Sequence, residues 1–547
     1  MRGRMLSGKG LFPLLFSFLI IILSLTGCAE NSSILDYGGN RQLEFSVSTH
    51  DWNNSSNSKK DSRATPISGA SFDTSKSFNM IADQNDGSGN YSTLIDKESV
   101  SYSNNIWKTT KDYYWSGNSS KTINFYAYYP TSISSSISHT AGSAPTLSYT
   151  VPDNVANQPD IIVASKENVA GNTTTSTSLT FKHIFAAVQF SVGSSGLPSG
   201  TISSITISDI KNSGIYTFGR GWTLNSGTTT FKVSPSAAIN GTSGESITSG
   251  TYTLMMIPQA FSNAVITLTY NTGTTYTKII SGTWSTGSTY TYNLSKPVNI
   301  GDYYYSDGTW GSIAEHANST TSPIGVIFSN STSNIDKGHS WTHGYAMALQ
   351  NAGSGTATYQ WYTSDSGNPT GTYFIVADQI MSDKDGYTHS GYLQTSGYAA
   401  GIAASGYTAK DRNGNTVVAP SGISGWYLPS IGQWYDICAN LGGMVAASEK
   451  AYTSSIPYWL RWYSGDTSGD AHNYSSLCAS NLDVYLNALK GNGYSVDLFS
   501  NSDEYYWSSS ECSSSWACFV GFFSNSYMNL SNRNKTNSYW VRSVIAF

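Results

Sequence analysis

Between residues 67 and 298, apolar residues alternate with polar ones in short runs, and clusters of Gly, Asn and Ser separate the runs. Side chains on a strand point alternately to its two faces, so this pattern fits half-buried strands and not helices. In the stretch 122–130, Ile123, Phe125, Ala127 and Tyr129 fall on one side. Similar runs lie at 160–164, 181–192, 202–207, 252–257, 265–270 and 290–294, with no long helical period among them. Short strands with turn signals between them predict β-sandwiches, here two. Charged residues make up only 12% of the 547-residue chain. Disordered chains are poor in aromatics, whereas this one has 38 Tyr and 15 Trp, so it folds. A net charge of −5 offers little to a phosphate backbone, and no nucleic acid is expected as a partner.

The N-terminus reads as a sorting signal. Arg2, Arg4 and Lys9 precede an apolar run at 11–25, interrupted by Pro13, Ser17 and Ser24. The run is short for a membrane span. It ends in Leu25-Thr26-Gly27-Cys28, which resembles a bacterial lipobox. The resemblance implies a signal peptide at 1–27 and a lipid on the Cys28 thiol; the alternative is an ordinary secretory signal with an incidental Cys. Residues 28–66 then form a polar leading segment. Within it Leu43, Phe45 and Val47 alternate as one strand, and 53–63 reads as an exposed loop open to proteases.

From residue 299 the texture changes. Ser430-Ile431-Gly432-Gln433 carries the S-x-x-Q of a capping box, with Ile431, Trp434, Tyr435 and Cys438 on one helical face and Gly442-Gly443 as the stop. A second helix is expected from Ser480 through Leu482, Leu486 and Leu489 to Gly491, with Asp483 at N3. Trp- and Ser-rich strands follow, so 299–547 reads as an α+β domain with two short helices. Cys438, Cys478, Cys512 and Cys518 lie in this region and allow three pairings, none favoured by sequence.

Candidate chemistry is sparse. His339 and His343 lack the H-E-x-x-H context of a zinc helix. Asp383-Lys384-Asp385-Gly386 and 411–415 lack the acidic register of a calcium loop and read as turns. His183 reads as a structural strand histidine, Arg542 as a buried residue needing a carboxylate or carbonyl partner, and Trp426 and Trp507 as core. No phosphate loop or dinucleotide fingerprint occurs, and no cofactor, metal site or enzyme activity is expected.

Residues 40–298 resemble the fimbrillins that build type V pili of Bacteroidales. The matching pieces, in order, include Ile106-Trp107, Tyr113-Tyr114-Trp115, 122–130, 158–164, 179–183, 254–259 and 284–290. The resemblance implies two transthyretin-like β-sandwiches, at 67–180 and 181–298. It also implies export as a lipoprotein, a cut after an Arg in an early loop, and strand exchange with other fimbrillin subunits. Arg63-Ala64 occupies the expected position for that cut. Cleavage would remove the strand at 43–49 and open a groove for a neighbour's strand. The alternative is that Arg63 is an ordinary surface residue and the lipid is kept.

Residues 299–547 resemble a C-type-lectin-like domain of bacterial surface proteins. The matching residues include Gly425-Trp426-Tyr427-Leu428-Pro429-Ser430, Tyr506-Trp507-Ser508-Ser509-Ser510 and Val541-Arg542. The same pattern occurs in targets of diversity-generating retroelements, where ligand-facing positions near the end of the fold vary. The Glu-Pro-Asn and Trp-Asn-Asp motifs of calcium-dependent sugar lectins are absent from this region. The only Gln-Pro-Asp, at 158–160, lies in the fimbrillin-like part and reads as the lead into a strand.

The combined reading is a mainly β chain: two transthyretin-like sandwiches followed by an α+β lectin-like head. It is a fimbrial tip subunit and adhesin, anchored in the outer membrane by lipid before processing and displayed on the cell-surface fimbrium after it. The head binds a host or bacterial surface protein or glycan. The alternatives are a lipid-anchored, non-polymerising surface binding protein, or an enzyme using Cys512 and Cys518. The ligand surface is expected in 511–539, whose Ser, Asn and aromatic content resembles antibody paratopes. Trp516 and Tyr527 are the expected anchors, surrounded by Glu511, Ser513, Ser515, Ser524, Ser526, Asn529, Asn532 and Asn534, with some of Phe519, Phe522 and Phe523 also exposed.

Overall fold

The computed structural model describes residues 41–54, 67, 69–353, 357–364, 367–374, 377–444, 451–452, 460–462, 474–500, 502–524 and 528–547. The signal segment, Cys28, Arg63 and Ala64 lie outside the described residues. The fold is mainly β, built from several sheets.

The first sheet closes into a barrel. Its order is Phe45–Thr49, Thr177–His183, Ile162–Ala170, Thr122–Tyr129, Phe78–Asn85, Tyr91–Ser103 and Ile106–Thr109. The leading strand Phe45–Thr49 runs parallel to Thr177–His183, from Phe45 opposite Thr177 to Thr49 opposite Phe181. On its other side it meets Ile106–Thr109 at Phe45 and Trp107. Phe45, Phe72, Phe78, Trp107, Phe125 and Phe181 fill the interior. Thr122–Tyr129 is buried on both faces. Ile123, Phe125 and Ala127 enter the barrel core, while Tyr126 and Tyr128 enter the core of the next unit.

The expected run at 181–192 is two strands. Thr177–His183 belongs to the barrel, and Ala186–Val192 lies between Leu254–Met256 and Ser288–Leu294 in the second unit. Fully buried Ile184 and Phe185 make the crossing. A run apolar on both faces hides such a break, because alternation no longer marks it. Thr146–Thr150 pairs with Ser213–Thr217, so an excursion from the first half of the chain packs with later strands. The second unit has a further sheet, Thr228–Val233, Gly200–Lys211, Ala260–Tyr270 and Thr275–Thr283. Gln158 accepts from Met255 N–H at 2.8 Å and donates to the Pro152 carbonyl at 2.7 Å, so it ties the two units together. Asp160 meets His183 Nδ1 at 3.0 Å, which gives this strand histidine its structural partner.

Asn53–Asn54 corrects the expected loop at 53–63. These two residues pair parallel with Ser288–Leu294, and Trp52 stacks on His183 at 3.9 Å. The leading segment therefore touches both units. A two-residue strand has no periodicity for sequence reading to find.

The described residues from 303 onward include two five-stranded sheets, two two-stranded ones and several helices. The first has the order Trp310–Gly311, Tyr303–Tyr305, Pro323–Ser329, Tyr345–Ala348 and Val544–Ala546, so the start and the end of this region share a sheet. Trp426 and Trp507 are buried. Arg542 is fully buried and donates to the carbonyls of Ala348 at 3.3 Å and Asp497 at 2.7 Å. The capping box at Ser430 forms as expected: Gln433 N–H donates to Ser430 Oγ at 3.2 Å and Ser430 N–H to Gln433 Oε1 at 3.0 Å. The second expected helix starts earlier, spanning Tyr474–Gly491. The two-helix expectation also falls short, because Ala377–Ser382, Gly386–Thr395 and Ala399–Ser405 are helical as well. Residues 383–386 lead into the second of these, and 411–415 turn a hairpin between Ala409–Lys410 and Thr416–Val417.

Candidate functional site

The second sheet of the C-terminal region carries the expected ligand segment. Its order is Ala451–Tyr452, Leu460–Trp462, Met528–Asn534, Trp516–Phe522 and Glu504–Glu511. Alternation divides the side chains of these strands. Tyr506, Cys518, Val520, Phe522, Met528 and Leu530 enter the main core. Trp507, Ala517, Phe519 and Phe523 face the opposite side, beside Trp361, Leu393 and Tyr398.

The turn between the last two strands of this order is fixed in several ways. A disulfide joins Cys512 to Cys518, with Cα atoms 5.8 Å apart. Cys512 and Ser513 N–H both donate to the Trp516 carbonyl, at 2.9 and 3.0 Å. Ser513 Oγ accepts from Ser515 N–H at 3.2 Å and Trp516 N–H at 3.1 Å. Beneath the turn, Lys535 Nζ reaches Glu511 Oε1 at 2.5 Å and also donates to the carbonyls of Gly367 and Ser514. Neither side chain of this ion pair is exposed. Thr370 N–H and Oγ1 donate to the second Glu511 oxygen, at 3.0 and 2.5 Å. A rigid, cross-linked turn therefore presents Trp516, which is 43% exposed.

The ten expected contact residues divide by burial. Trp516 and Ser524 are exposed, and Ser513, Ser515 and Asn534 are half-buried. Ser524 Oγ donates to Asp503 Oδ2 at 2.8 Å, and this bond helps hold the Asp503 carboxyl below its usual range. Asn534 Oδ1 accepts from Thr536 Oγ1 at 2.7 Å and shapes a turn. Three expectations are corrected: Glu511, Asn529 and Asn532 are buried and face no solvent. Glu511 serves Lys535 and Thr370, while Asn529 sits between Gly521 and Arg461 in the sheet and Asn532 pairs with Cys518. Phe519, Phe522 and Phe523 are likewise core. Ser526 and Tyr527 lie outside the described residues.

Sequence reading missed a partly exposed aromatic group toward the other end of these two strands, where Tyr505 lies opposite Gly521. Tyr505 packs on Phe523 and Tyr539, each at 5.1 Å, and the Arg533 guanidinium lies 5.2 Å over Phe519. Tyr505, Tyr539 and Arg533 are half-buried, so each shows part of its surface. Burial, with the Asp503 carboxylate adding to it, pushes the Tyr505 hydroxyl up to about 12, so it stays a neutral donor at physiological pH. The strand alternation that buries Tyr506 also turns Tyr505 to this side, and that is the signal that would have found it.

His339 and His343 do not form a pair. His339 stacks on Trp341 at 4.7 Å, and His343 packs on Trp310 at 5.0 Å. Among the described residues, no helix is long and apolar enough to cross a membrane.

Comparison with known proteins places one part of the chain. Residues 62–301 match the fimbrillin-like family. No curated protein matches the chain. A solved fimbrial protein of Bacteroides ovatus is similar at 15% identity, over 93% of this chain and 99% of its own, with a TM-score of 0.29. A fimbrial protein of Bacteroides vulgatus is similar at 14% identity, over 47% of this chain and 95% of its own, with a TM-score of 0.33. A fimbrial assembly protein of Parabacteroides distasonis is similar at 10% identity, over 47% and 92%, with a TM-score of 0.25.

Proposed function

We propose that this chain, fimbrillin-like over 62–301, is a fimbrial tip subunit and adhesin, exported as a lipoprotein lipidated on Cys28 and processed between Arg63 and Ala64. The observation that carries the reading is the leading strand. Phe45–Thr49 sits in the barrel but comes from the segment ahead of Arg63. Leu43 and Phe45 are buried, and Phe45 packs on Phe125 at 5.4 Å. A cut after Arg63 frees this strand to leave, opening a slot beside Thr177–His183 that a strand from another fimbrillin subunit can fill. The head sheet supports the tip position. Val544–Ala546 pairs with Tyr345–Ala348 inside it, so this strand is held in the head and is not available for donation to a neighbour.

The lectin-like head then faces outward and takes a host or bacterial surface protein or glycan without enzymatic turnover. Trp516 is the anchor, with Ser513, Ser515, Ser524 and Asn534 near the same strands and Tyr505, Tyr539 and Arg533 added from the structure. Large rings on a rigid turn give contact area at low entropy cost. The test replaces Trp516 and Tyr527 by Ala in the full chain, checks the melting transition, and measures adhesion to host cells, bacteria and mucin glycans. Loss of an aromatic hot spot costs about 2 kcal/mol or more, so adhesion weakens by about 30-fold. Unchanged adhesion by the folded double variant contradicts this role.

A further inference from the structure

We infer that Cys438 and Cys478 are joined by a second disulfide in the exported protein, closing the neck of the segment between them. Cys438 lies in the helical turn Ile437–Leu441 and Cys478 in the helix Tyr474–Gly491. Both are 0% exposed and belong to the core that also holds Cys512 and Cys518. Cys478 is close enough to Cys438 to act on its thiol. Gly442 lets them meet: a Cβ there would collide with Cys478 Sγ and would lie 2.6 Å from the Cys438 carbonyl oxygen. A second tie holds the same elements together, since Asn481 Nδ2 donates to the Gly442 carbonyl at 2.9 Å. The two sulfurs are thus brought together by packing that does not depend on a bond between them.

The site would serve the ligand-bearing sheet. The chain between the two cysteines supplies Ala451–Tyr452 and Leu460–Trp462, the edge strand of that sheet and the strand next to it. A cross-link over about 40 residues restricts the unfolded chain more than a short one does. It also fixes both ends of the excursion to the head core.

The reaction needs an oxidant, a protein disulfide of a thiol oxidase in the cell envelope. One cysteine thiolate attacks that disulfide, forming a mixed disulfide and releasing one oxidase thiolate. The second cysteine thiolate attacks its partner's sulfur, the Cys438–Cys478 bond forms, and the oxidase leaves as a dithiol with the two protons and two electrons. Burial pushes the Cys438 thiol well above its usual range, and its Cys478 partner adds to this. The thiolate is the reactive form, so oxidation takes place before the core closes.

The inference rests on export to an oxidising compartment, and the Cys512–Cys518 bond is the internal control for that premise. The full chain is recovered from the cell envelope in the presence of an alkylating agent, unfolded in denaturant with more of the agent, and digested without reductant. Mass spectrometry should show a linked Cys438–Cys478 peptide pair, two hydrogen masses lighter than the sum of its thiol forms, with neither residue alkylated. Alkylated Cys438 and Cys478 beside an intact Cys512–Cys518 bond would overturn the inference and leave export standing. Alkylation of all four, or pairing of either residue with Cys512 or Cys518, would also overturn it; the first of these would count against export as well.

Discussion

Lys535 and Glu511 show how far the role of a single residue can lie from its sequence neighbourhood. A glutamate in a Ser-rich stretch reads as exposed, yet Glu511 is closed in by Lys535 and by Thr370, which is 141 residues away. Contacts that distant leave no local pattern. Arg542 was legible, because an Arg set among apolar residues such as Val541 and Val544 requires a partner wherever that partner comes from. Replacing Glu511 by Gln leaves the Lys535 charge buried without its counterion and should cost about 3–5 kcal/mol in denaturant unfolding. The double variant Glu511→Gln, Lys535→Met should lose less than the two single losses combined. Additive losses would show that the pair is not coupled.

His316 carries a pH dependence. It stacks on Tyr305 at 3.4 Å, Thr309 Oγ1 lies 2.9 Å from its Nε2, and its Nδ1 donates to the Ser312 carbonyl at 3.1 Å. Burial holds its imidazole below the usual 6.5. The unfolded chain therefore takes up the proton first as pH falls below 6.5. The stability tied to neutral His316 is complete above that value and is lost on acidification. Buried carboxylates such as Asp302, pushed up by burial, act in the opposite direction, so the measurement is differential. Between pH 7 and 5, the melting temperature of the natural chain should fall relative to that of His316→Gln. Parallel curves would contradict this.

At the scale of elements, legibility followed periodicity. The alternation in 122–130 marks a real strand, and the capping box at Ser430 marks a real helix start. The helices Gly386–Thr395 and Ala399–Ser405 were not legible. They are rich in Gly, Ala, Ser and Thr, and they pack through small residues instead of an apolar stripe. Gly401 makes that packing possible, because a Cβ on it would lie 2.5 Å from Leu393 Cβ. Ala at this position gains about 1 kcal/mol in helix propensity. Overpacking costs about 1–3 kcal/mol, so Gly401→Ala should lower the melting temperature of the head. A raised melting temperature would show that the two helices separate freely.

At the scale of the whole molecule, the head is seated on the second unit through named contacts. Lys296 Nζ pairs with Glu315 at 2.8 Å, and the Tyr276 hydroxyl donates to the Trp310 carbonyl at 2.6 Å. At the other end, the leading segment crosses both units, with Phe45–Thr49 in the barrel and Asn53–Asn54 beside Ser288–Leu294. That second contact was invisible in the sequence, because two residues define no period. The proposed tip subunit needs this segment to leave while Val544–Ala546 stays paired in the head sheet. N-terminal sequencing of the surface-assembled protein tests this most directly. A start at Ala64 is the predicted result, and an intact lipid-modified Cys28 on the assembled chain would contradict it.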